Sequence, residues 1–359
     1  MTRFVFLTKT RWDEPPRIRH QLARLLADAG HDVVFFEKPG WPWRRLPEPR
    51  HITERIMVVG HRELIHHKLR FAPPIHRLNA AVVRQSVKHM LAATGVGSET
   101  VIVNFNYDYW FLREMFPGLR LITIINDDFI SRALFGIEAP LRWAMARTCL
   151  ASDHVLTTAM PVQRQLAQYC RANLFWPWAD QPYLAPNLVG TRDLLLFWGY
   201  INAKLDFGLV TKLADRLARE RPGLRLLFVG PVARSAKIEF ARLRERVNVD
   251  VQPATAVDDL PLERVLAALI PYRRNVPNID AITLPNKAPQ LLARGIPLLI
   301  AGMPHFIAEP FVFRLGEDAD PAPIDELSAR FADLQPAIAA FVARNSAAAR
   351  LAQFLELAA

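Results

Sequence analysis

Cysteine is almost absent from this chain. Cys149 and Cys170 are the two in 359 residues, and they form neither a CxxC pair nor a zinc spacing. Disulfide and thiolate-metal readings fall away, and the pair reads as buried thiol. No apolar run approaches the roughly 18 residues needed to span a bilayer. The opening MTRFVFLTKT is a strand pattern without the apolar core and cleavage site of a signal peptide, so the expected location is cytoplasmic. Glycine-rich phosphate loops are missing as well. The segment after the first strand, KTRWDEPPR, holds no glycine, which argues against a GxGxxG dehydrogenase, and no Walker sequence occurs. Repeats of 20 to 50 residues are not seen, which excludes a solenoid.

What is present is a globular composition, 51% hydrophobic and 22% charged, at about twice the usual domain length. Two domains are expected, each able to bury its own core. The formal net charge is +10, and the first 100 residues hold 17 Lys and Arg against 9 Asp and Glu. Eight of the ten histidines lie there too, and WPWRRLPEPR sets Trp41 and Trp43 beside Arg44 and Arg45. Aromatic rings next to cations suit phosphate groups or anionic lipid headgroups; a merely basic, solvated face is the plain alternative. No RNA-binding or helix-turn-helix signature accompanies the charge, so nucleic acid is not an expected partner.

Short β-branched runs alternate with longer helical ones. RFVFLT, DVVFFE, RIMVVG, TVIVNF, RLITII and HVLTT read as strands. PRIRHQLARLLADAG reads as a helix, with Ile18, Leu22, Leu25 and Leu26 on one face and Gly30 as its stop. Strands spaced by helices predict a mainly parallel, doubly wound sheet over residues 1–180. DQPYLAPNLVGTRD carries turn residues and no period, which marks a linker at 181–193. The alternation then restarts over 194–336 with LLLFWGY, a helix through FGLVTKLADRLARE, LRLLFVGP, VNVDV, a helix near LERVLAAL, IPY, a helix in LPNKAPQLLARG, and IPLLIAG. The Ala-rich tail, 337–359, reads as a helix that crosses back to the first domain or covers the second. The expected architecture is α/β, two Rossmann-like doubly wound domains facing a cleft, with ligands at the carboxyl ends of the strands.

The order LLLFWGYI, LRLLFVGP, IPY, then PNKAPQLLARGIPLL resembles the nucleotide-sugar domain of GT-B glycosyltransferases. Pro285, Lys287, Gln290, Gly295 and Pro297 match that family's Pro-x-Lys-x-x-(Glu or Gln)-x-x-x-x-Gly-x-Pro. Gln in place of Glu, together with IPYRRNVPN, is closer to the xanthan glucuronosyltransferase type. The resemblance implies a UDP-sugar donor, with UDP-glucuronate first to expect, an inverting transfer and no cofactor. It places Lys287 beside the leaving diphosphate at a helix start, where unpaired N–H groups favour anions, and Gln290 one turn on, where a neutral amide avoids repelling a sugar carboxylate. An ordinary pair of exposed first-turn residues is the plain alternative. By position, Gly199, Tyr200 and Ile201 would touch the diphosphate, Gln252 and Pro253 would hold the base, and Tyr272 would stack or hydrogen-bond near the phosphates. The family's usual acid near Gln252 is missing.

The chemistry needs a carboxylate to take the acceptor's proton. In IINDDF, Asp127 and Asp128 end an apolar strand, and the resemblance aligns the base with Asp127, Asp128 orienting it. Both would equally suit the cap of the next helix, and Asp108 in NFNYDYW competes for the role. Arg17, Arg19 and His20 would meet an acceptor's phosphates, and Trp41, Trp43, Arg44 and Arg45 would extend that patch toward an anionic membrane. Together these imply a lipid-linked or glycan acceptor and a peripheral protein at the inner face of the cell membrane. No metal is expected, since an Asp-x-Asp after a strand is missing and Lys287 would serve in its place. Sugar-nucleotide epimerase, non-catalytic binding subunit and soluble transferase acting on a small molecule are the rival readings.

Overall fold

The computed structural model describes every residue except 67, 68, 71 and 96. It forms two compact units, Met1–Trp176 with Arg350–Ala359, and Pro177–Ala349.

The first unit is built on β1 (Arg3–Leu7), β2 (Asp32–Phe36), β3 (Arg50–His51), β4 (Ile56–Val59), β5 (Thr100–Asn104), β6 (Arg120–Ile125), β7 (His154–Thr157) and β8 (Ala172–Leu174). Their order is β3-β4-β2-β1-β5-β6-β7-β8, and every pairing is parallel except β3 with β4. A parallel sheet is covered on both faces, so its strands are continuous apolar runs rather than alternating ones. Accordingly Phe4 to Leu7 and all five residues of β5 are buried. Helices Ile18–Asp28, Pro73–Thr94 and Ala139–Ala151 form crossovers. Strand order reverses between β1 and β5, the place in a parallel sheet where loops leaving neighbouring strands diverge.

The second unit repeats the plan in one parallel sheet, β9 (Leu194–Trp198), β10 (Arg225–Val229), β11 (Val249–Gln252), β12 (Val265–Pro271), β13 (Leu298–Ala301) and β14 (Val312–Arg314), ordered β11-β10-β9-β12-β13-β14. Its reversal lies between β9 and β12. Helix Phe207–Glu220, capped by Asp206 through a 2.9 Å bond from the Leu209 N–H, buries Leu209, Val210, Leu213 and Leu217 on one face.

Three sequence expectations need correction. The helix near LERVLAAL is a 3₁₀ turn, Leu262–Arg264, followed by strand β12. All seven β12 residues are buried between β9 and β13, and a fully buried strand has the same unbroken apolar pattern as a buried helix. The segment 181–193 is not a free linker. Leu184 N–H donates to the Ala293 carbonyl at 2.6 Å, Tyr183 Oη to Gln335 Oε1 at 2.9 Å, and Arg192 Nη1 to the Val265 carbonyl at 2.8 Å, all inside the second unit. The tail is two helices, Gln335–Arg344 and Ala347–Ala358, and the last ten residues belong to the first unit. Phe354 is fully buried there against Phe4 and Phe175, with ring centres 5.9 and 6.0 Å away.

Candidate active site

At the carboxyl ends of the second sheet, Gly199, Gly230 and Gly302 follow β9, β10 and β13, with φ of 134°, 139° and 73°. Two of them allow backbones to touch. A Cβ on Gly230 would lie 2.1 Å from the Gly199 carbonyl oxygen, and one on Gly302 would lie 1.8 Å from that of Tyr272. The chain leaving β10 is thereby drawn against that leaving β9, and the chain leaving β13 against that leaving β12.

Lys287, the first residue of helix Lys287–Leu292, reaches into this place. Its Nζ lies 3.7 Å from the centre of the Phe197 ring and 5.5 Å from that of Tyr272, and a Cβ on Gly199 would stand 3.9 Å from it. The residue as a whole is half-buried while its ammonium is enclosed, and burial pulls the ammonium down to about 7. Among the described residues no carboxylate or hydrogen-bond acceptor pairs with it. Burial likewise pushes the Tyr272 hydroxyl up to about 12. The aromatic faces stabilise the cation weakly, and a diphosphate oxygen would stabilise it far more.

The remaining donor candidates divide. Tyr200 is 58% exposed beside Gly199 and free to contact a ligand through its ring. Ile201 is a correction: its side chain is buried, its N–H donates to the Pro231 carbonyl at 3.0 Å, and its carbonyl accepts from Ala233 at 2.8 Å, leaving nothing to offer. Gln252 ends β11 with its carbonyl bound to the Gly230 N–H at 3.2 Å, and Pro253 is exposed just beyond. Gln290 is not unengaged. Its Nε2 donates to Asp180 Oδ2 at 3.3 Å, and its carbonyl accepts from Arg294 Nη1 at 2.8 Å.

The reversal in the first unit is filled differently. Lys9, after β1, donates to Asp108 Oδ1 at 3.0 Å and stands 3.3 Å from Glu63 Oε1, while the guanidinium of Arg70 binds both Glu63 and Asp108. Two cations and two carboxylates neutralise one another in a nearly dry cluster. Burial pulls Lys9 down to about 7; burial alone would raise Glu63, but Lys9 and Arg70 hold it near 2. Asp108 is therefore corrected from competing base to structural anion, with both oxygens committed and no side-chain exposure. Asp127 and Asp128 follow β6. Asp128 Oδ1 accepts from the N–H groups of Ile130 and Ser131 at 3.2 and 3.1 Å and so caps the turn Ile130–Arg132. Asp127, half-buried, acts electrostatically on Arg19.

No known protein family matches the chain, and no curated protein does. Solved structures match over nearly its whole length. Sucrose-phosphate synthase from Thermosynechococcus elongatus is 15% identical, with a TM-score of 0.66 over 100% of this chain and 96% of that one. HepE from Anabaena, solved with UDP and glucose, is 11% identical, with a TM-score of 0.63 over 99% of each. A UDP-forming trehalose-phosphate synthase from Burkholderia xenovorans, solved with glucose-6-phosphate, is 11% identical, with a TM-score of 0.63 over 100% of each. The chain has the GT-B fold.

Within the first unit of this GT-B fold the basic residues expected to meet an acceptor separate into two groups. His20 is wholly buried: its Nδ1 accepts from the Arg17 N–H at 3.1 Å and its Nε2 lies 3.0 Å from the Arg11 carbonyl, a neutral imidazole that burial keeps below its usual range. It completes a helix cap and is not a surface cation. Arg19 is also buried, donating to Thr10 Oγ1 and stacked 5.3 Å from the Phe105 ring, with burial pulling it down to about 10. Arg17 stays exposed but faces Glu14 at 3.2 Å. Trp43 is 73% exposed and stacks on Trp41 at 5.3 Å, with Arg44 and Arg45 exposed beside them. No described helix is long and apolar enough to cross a membrane. Trp198 and Arg294, which hold the loop after β11, were not singled out by sequence reasoning; an aromatic residue ending a strand was the one available signal.

Proposed function

We propose that the chain is a glycosyltransferase that moves a sugar from a UDP-sugar to a hydroxyl of a lipid-linked or polysaccharide acceptor at the inner face of the cell membrane. Lys287 carries the donor assignment. Its ammonium is desolvated, has no anion beside it among the described residues, and lies against Gly199 where the strand order of a parallel sheet reverses. A cation so placed is under-stabilised until an anion arrives. Uridine comes from the likeness to HepE, solved with UDP, and to the UDP-forming synthase.

In the reaction the acceptor oxygen attacks the anomeric carbon while the bond from that carbon to the diphosphate oxygen breaks. The hydroxyl proton passes to the Asp127 carboxylate, and charge growing on the leaving UDP is met by Lys287. Attack from the side opposite the leaving group inverts the anomeric centre. Asp128 holds the turn that presents Asp127. Lys287 fills the role of a divalent cation, and the scheme assigns no step to a metal. The likeness to the xanthan glucuronosyltransferase type rests on the Lys287 to Gln290 motif and on IPYRRNVPN. A neutral amide at Gln290 suits glucuronate by its lack of negative charge, but the Asp180 carboxylate lies against that amide. We therefore assign an uncharged UDP-hexose. Membrane attachment is assigned to Trp41, Trp43, Arg44 and Arg45.

The test is calorimetric titration of wild type and Lys287→Ala with UDP-glucose, UDP-galactose, UDP-glucuronate and ADP-glucose. A UDP-hexose should bind best, and the variant should lose about tenfold or more, the worth of one charge-assisted hydrogen bond. Wild type binding no UDP-sugar would remove the reading.

A further inference from the structure

The stretch between β2 and β4 builds a groove. Pro42, Pro47 and Pro49 fix their own φ and carry no N–H, so WPWRRLPEP crosses the surface as an irregular strap that joins the sheet at Arg50. The strap is fastened along its length. Gly40 N–H donates to the His61 carbonyl and the Gly40 carbonyl accepts from the Glu63 N–H, each at 2.9 Å, while Leu46 packs on the core that holds Val83, Val87 and Met90. Pro47 lies over Gly60, where an added Cβ would stand 3.1 Å from the proline Cδ. Opposite runs helix Pro73–Thr94, tied to the same region by the Arg62 N–H, which donates to Ser86 Oγ at 2.9 Å. Between strap and helix lies an open groove of about 620 Å³, within the roughly 300–1,000 Å³ of small-molecule sites. Leu46, Pro47, Val82 and Met90 give it apolar walls, and the exposed Arg45 and Arg62 line it as well. Glu48 is the carboxylate of the lining. It stands 3.6 Å from Arg45, with both side chains open to water that screens the pair. Arg62 binds no carboxylate among the described residues.

We propose that this groove takes a lipid phosphate, its apolar chain along Leu46, Pro47, Val82 and Met90 and its phosphate on Arg45 and Arg62, and that this lipid carries the acceptor sugar. The proposal rests on the transferase reading above and narrows its acceptor to the lipid-linked class. Charge decides the head group. Two guanidiniums against one screened carboxylate favour an anion, and a guanidinium meets a phosphate with paired N–H donors. The walls decide the rest. A free phosphate leaves the apolar walls wet, and a neutral apolar molecule leaves the arginines unused, whereas each methylene buried there strengthens binding roughly fourfold. Position agrees with an acceptor's carrier. β2, β4 and β6 run parallel in one sheet, so the strap, the segment 60–63 and Asp127 all follow strands at its carboxyl end. His61 and Glu63 turn inward to Tyr109 and Arg70, and Arg62 is exposed between them. The phosphate is thereby held at the same end of the sheet as the base.

The experiment is calorimetry on the full chain with farnesyl phosphate, farnesol and inorganic phosphate, and with UDP-glucose alongside. Wild type should bind farnesyl phosphate at least about tenfold more tightly than either of the other two probes. Arg62→Ala removes a phosphate contact, and Gln85→Trp fills the groove from the exposed side of the helix. Each should lose about tenfold or more in farnesyl phosphate affinity with UDP-glucose binding unchanged. Both positions are exposed, each variant is first shown to melt cooperatively, and either one alone suffices for the test. Wild-type affinity in both variants would put the lipid elsewhere on the surface and overturn the proposal. Inorganic phosphate binding as well as farnesyl phosphate would leave an adventitious anion site only, and farnesol binding as well would leave a plain apolar groove; either result overturns it. Wild type that binds UDP-glucose but not farnesyl phosphate refutes the groove assignment alone. Wild type that binds farnesyl phosphate but no UDP-sugar keeps the groove as a lipid-phosphate site, and the carrier role falls with the transferase reading.

Discussion

The enclosed ammonium of Lys287 makes donor binding pH-dependent in a direction that can be worked out. Free protein gives up this proton near 7, against 10.5 for an ordinary lysine. A diphosphate charge about 4 Å away, at an effective dielectric of about 20, attracts the ammonium by about 4 kcal/mol, or about 3 pKa units. That shift returns the group to the ordinary lysine range, so the complex keeps its proton through pH 8. If the protonated form alone binds, the apparent dissociation constant scales as the reciprocal of the protonated fraction, rising about twofold from pH 6 to 7 and about tenfold from pH 6 to 8. Binding should take up about 0.1 proton at pH 6, about 0.5 at pH 7 and about 0.9 at pH 8 by the same relation. Calorimetry with UDP-glucose in two buffers of different ionisation enthalpy reads both quantities, and the diphosphate of a UDP-sugar has no group titrating in this range. Equal affinity at pH 6 and 8 with no proton uptake would refute the assignment of Lys287 to the diphosphate. Without ligand the sign is opposite to that of a helpful ion pair. Between 7 and 10.5 the unfolded chain binds the proton that the folded chain has lost, so the contribution of Lys287 to stability rises with pH across that window.

Asp127→Asn should lower kcat by about 10² to 10⁴ with UDP-sugar affinity unchanged, measured as UDP release; a variant within threefold of wild type would return the base to another group. Asp108→Asn leaves Lys9 and Arg70 short of a buried anion, and urea melts should show a loss of about 3–5 kcal/mol; a loss under about 1 kcal/mol would mean the cluster is hydrated. Arg44→Glu with Arg45→Glu should weaken binding to phosphatidylglycerol vesicles by at least roughly 30-fold, from about 1 kcal/mol for each arginine lost with the repulsion of the new carboxylates added, and equal binding by wild type and variant would take the membrane out of the reading. Gly230→Ala, forced into the Gly199 carbonyl at a φ of 139°, should destabilise by about 2 kcal/mol or more and weaken UDP-sugar binding as well.

Much of the fold was legible because parallel sheets write their strands as short apolar runs. RFVFLT, TVIVNF and LLLFWGY announce themselves, and parallel neighbours need a crossover between them, which in most of these pairs is a helix. β12 was misread because an unbroken run such as VLAALIP has no period to separate strand from helix. The site was legible where one residue type suffices. Lys287 stands out by its motif, and glycine at a strand end by its missing Cβ. It was not legible where the partner lies far away in the chain. His20 looks like a surface cation until the Arg11 carbonyl and the Arg17 N–H occupy its ring, and Asp108 looks like a base until Lys9 and Arg70 arrive from 99 and 38 residues away.

The two strand-order reversals differ in charge matching, against what the charge count suggests for phosphate affinity. The first hundred residues hold the positive excess, yet at the reversal between β1 and β5 the cations Lys9 and Arg70 are matched one for one by Glu63 and Asp108. A phosphate entering there would have to displace a carboxylate from an arginine, exchanging one buried ion pair for another while exposing the displaced anion. At the reversal between β9 and β12 one enclosed ammonium has, among the described residues, no carboxylate to displace. The net charge of a segment is thus a poor guide to where an anion binds; the unmatched charge in a desolvated place decides it. On this argument Lys287→Ala weakens UDP-sugar binding by about tenfold or more and leaves folding intact or improved near neutral pH, where the buried ammonium is a burden. Lys9→Ala does the reverse, lowering stability by leaving buried carboxylate behind while the donor still binds.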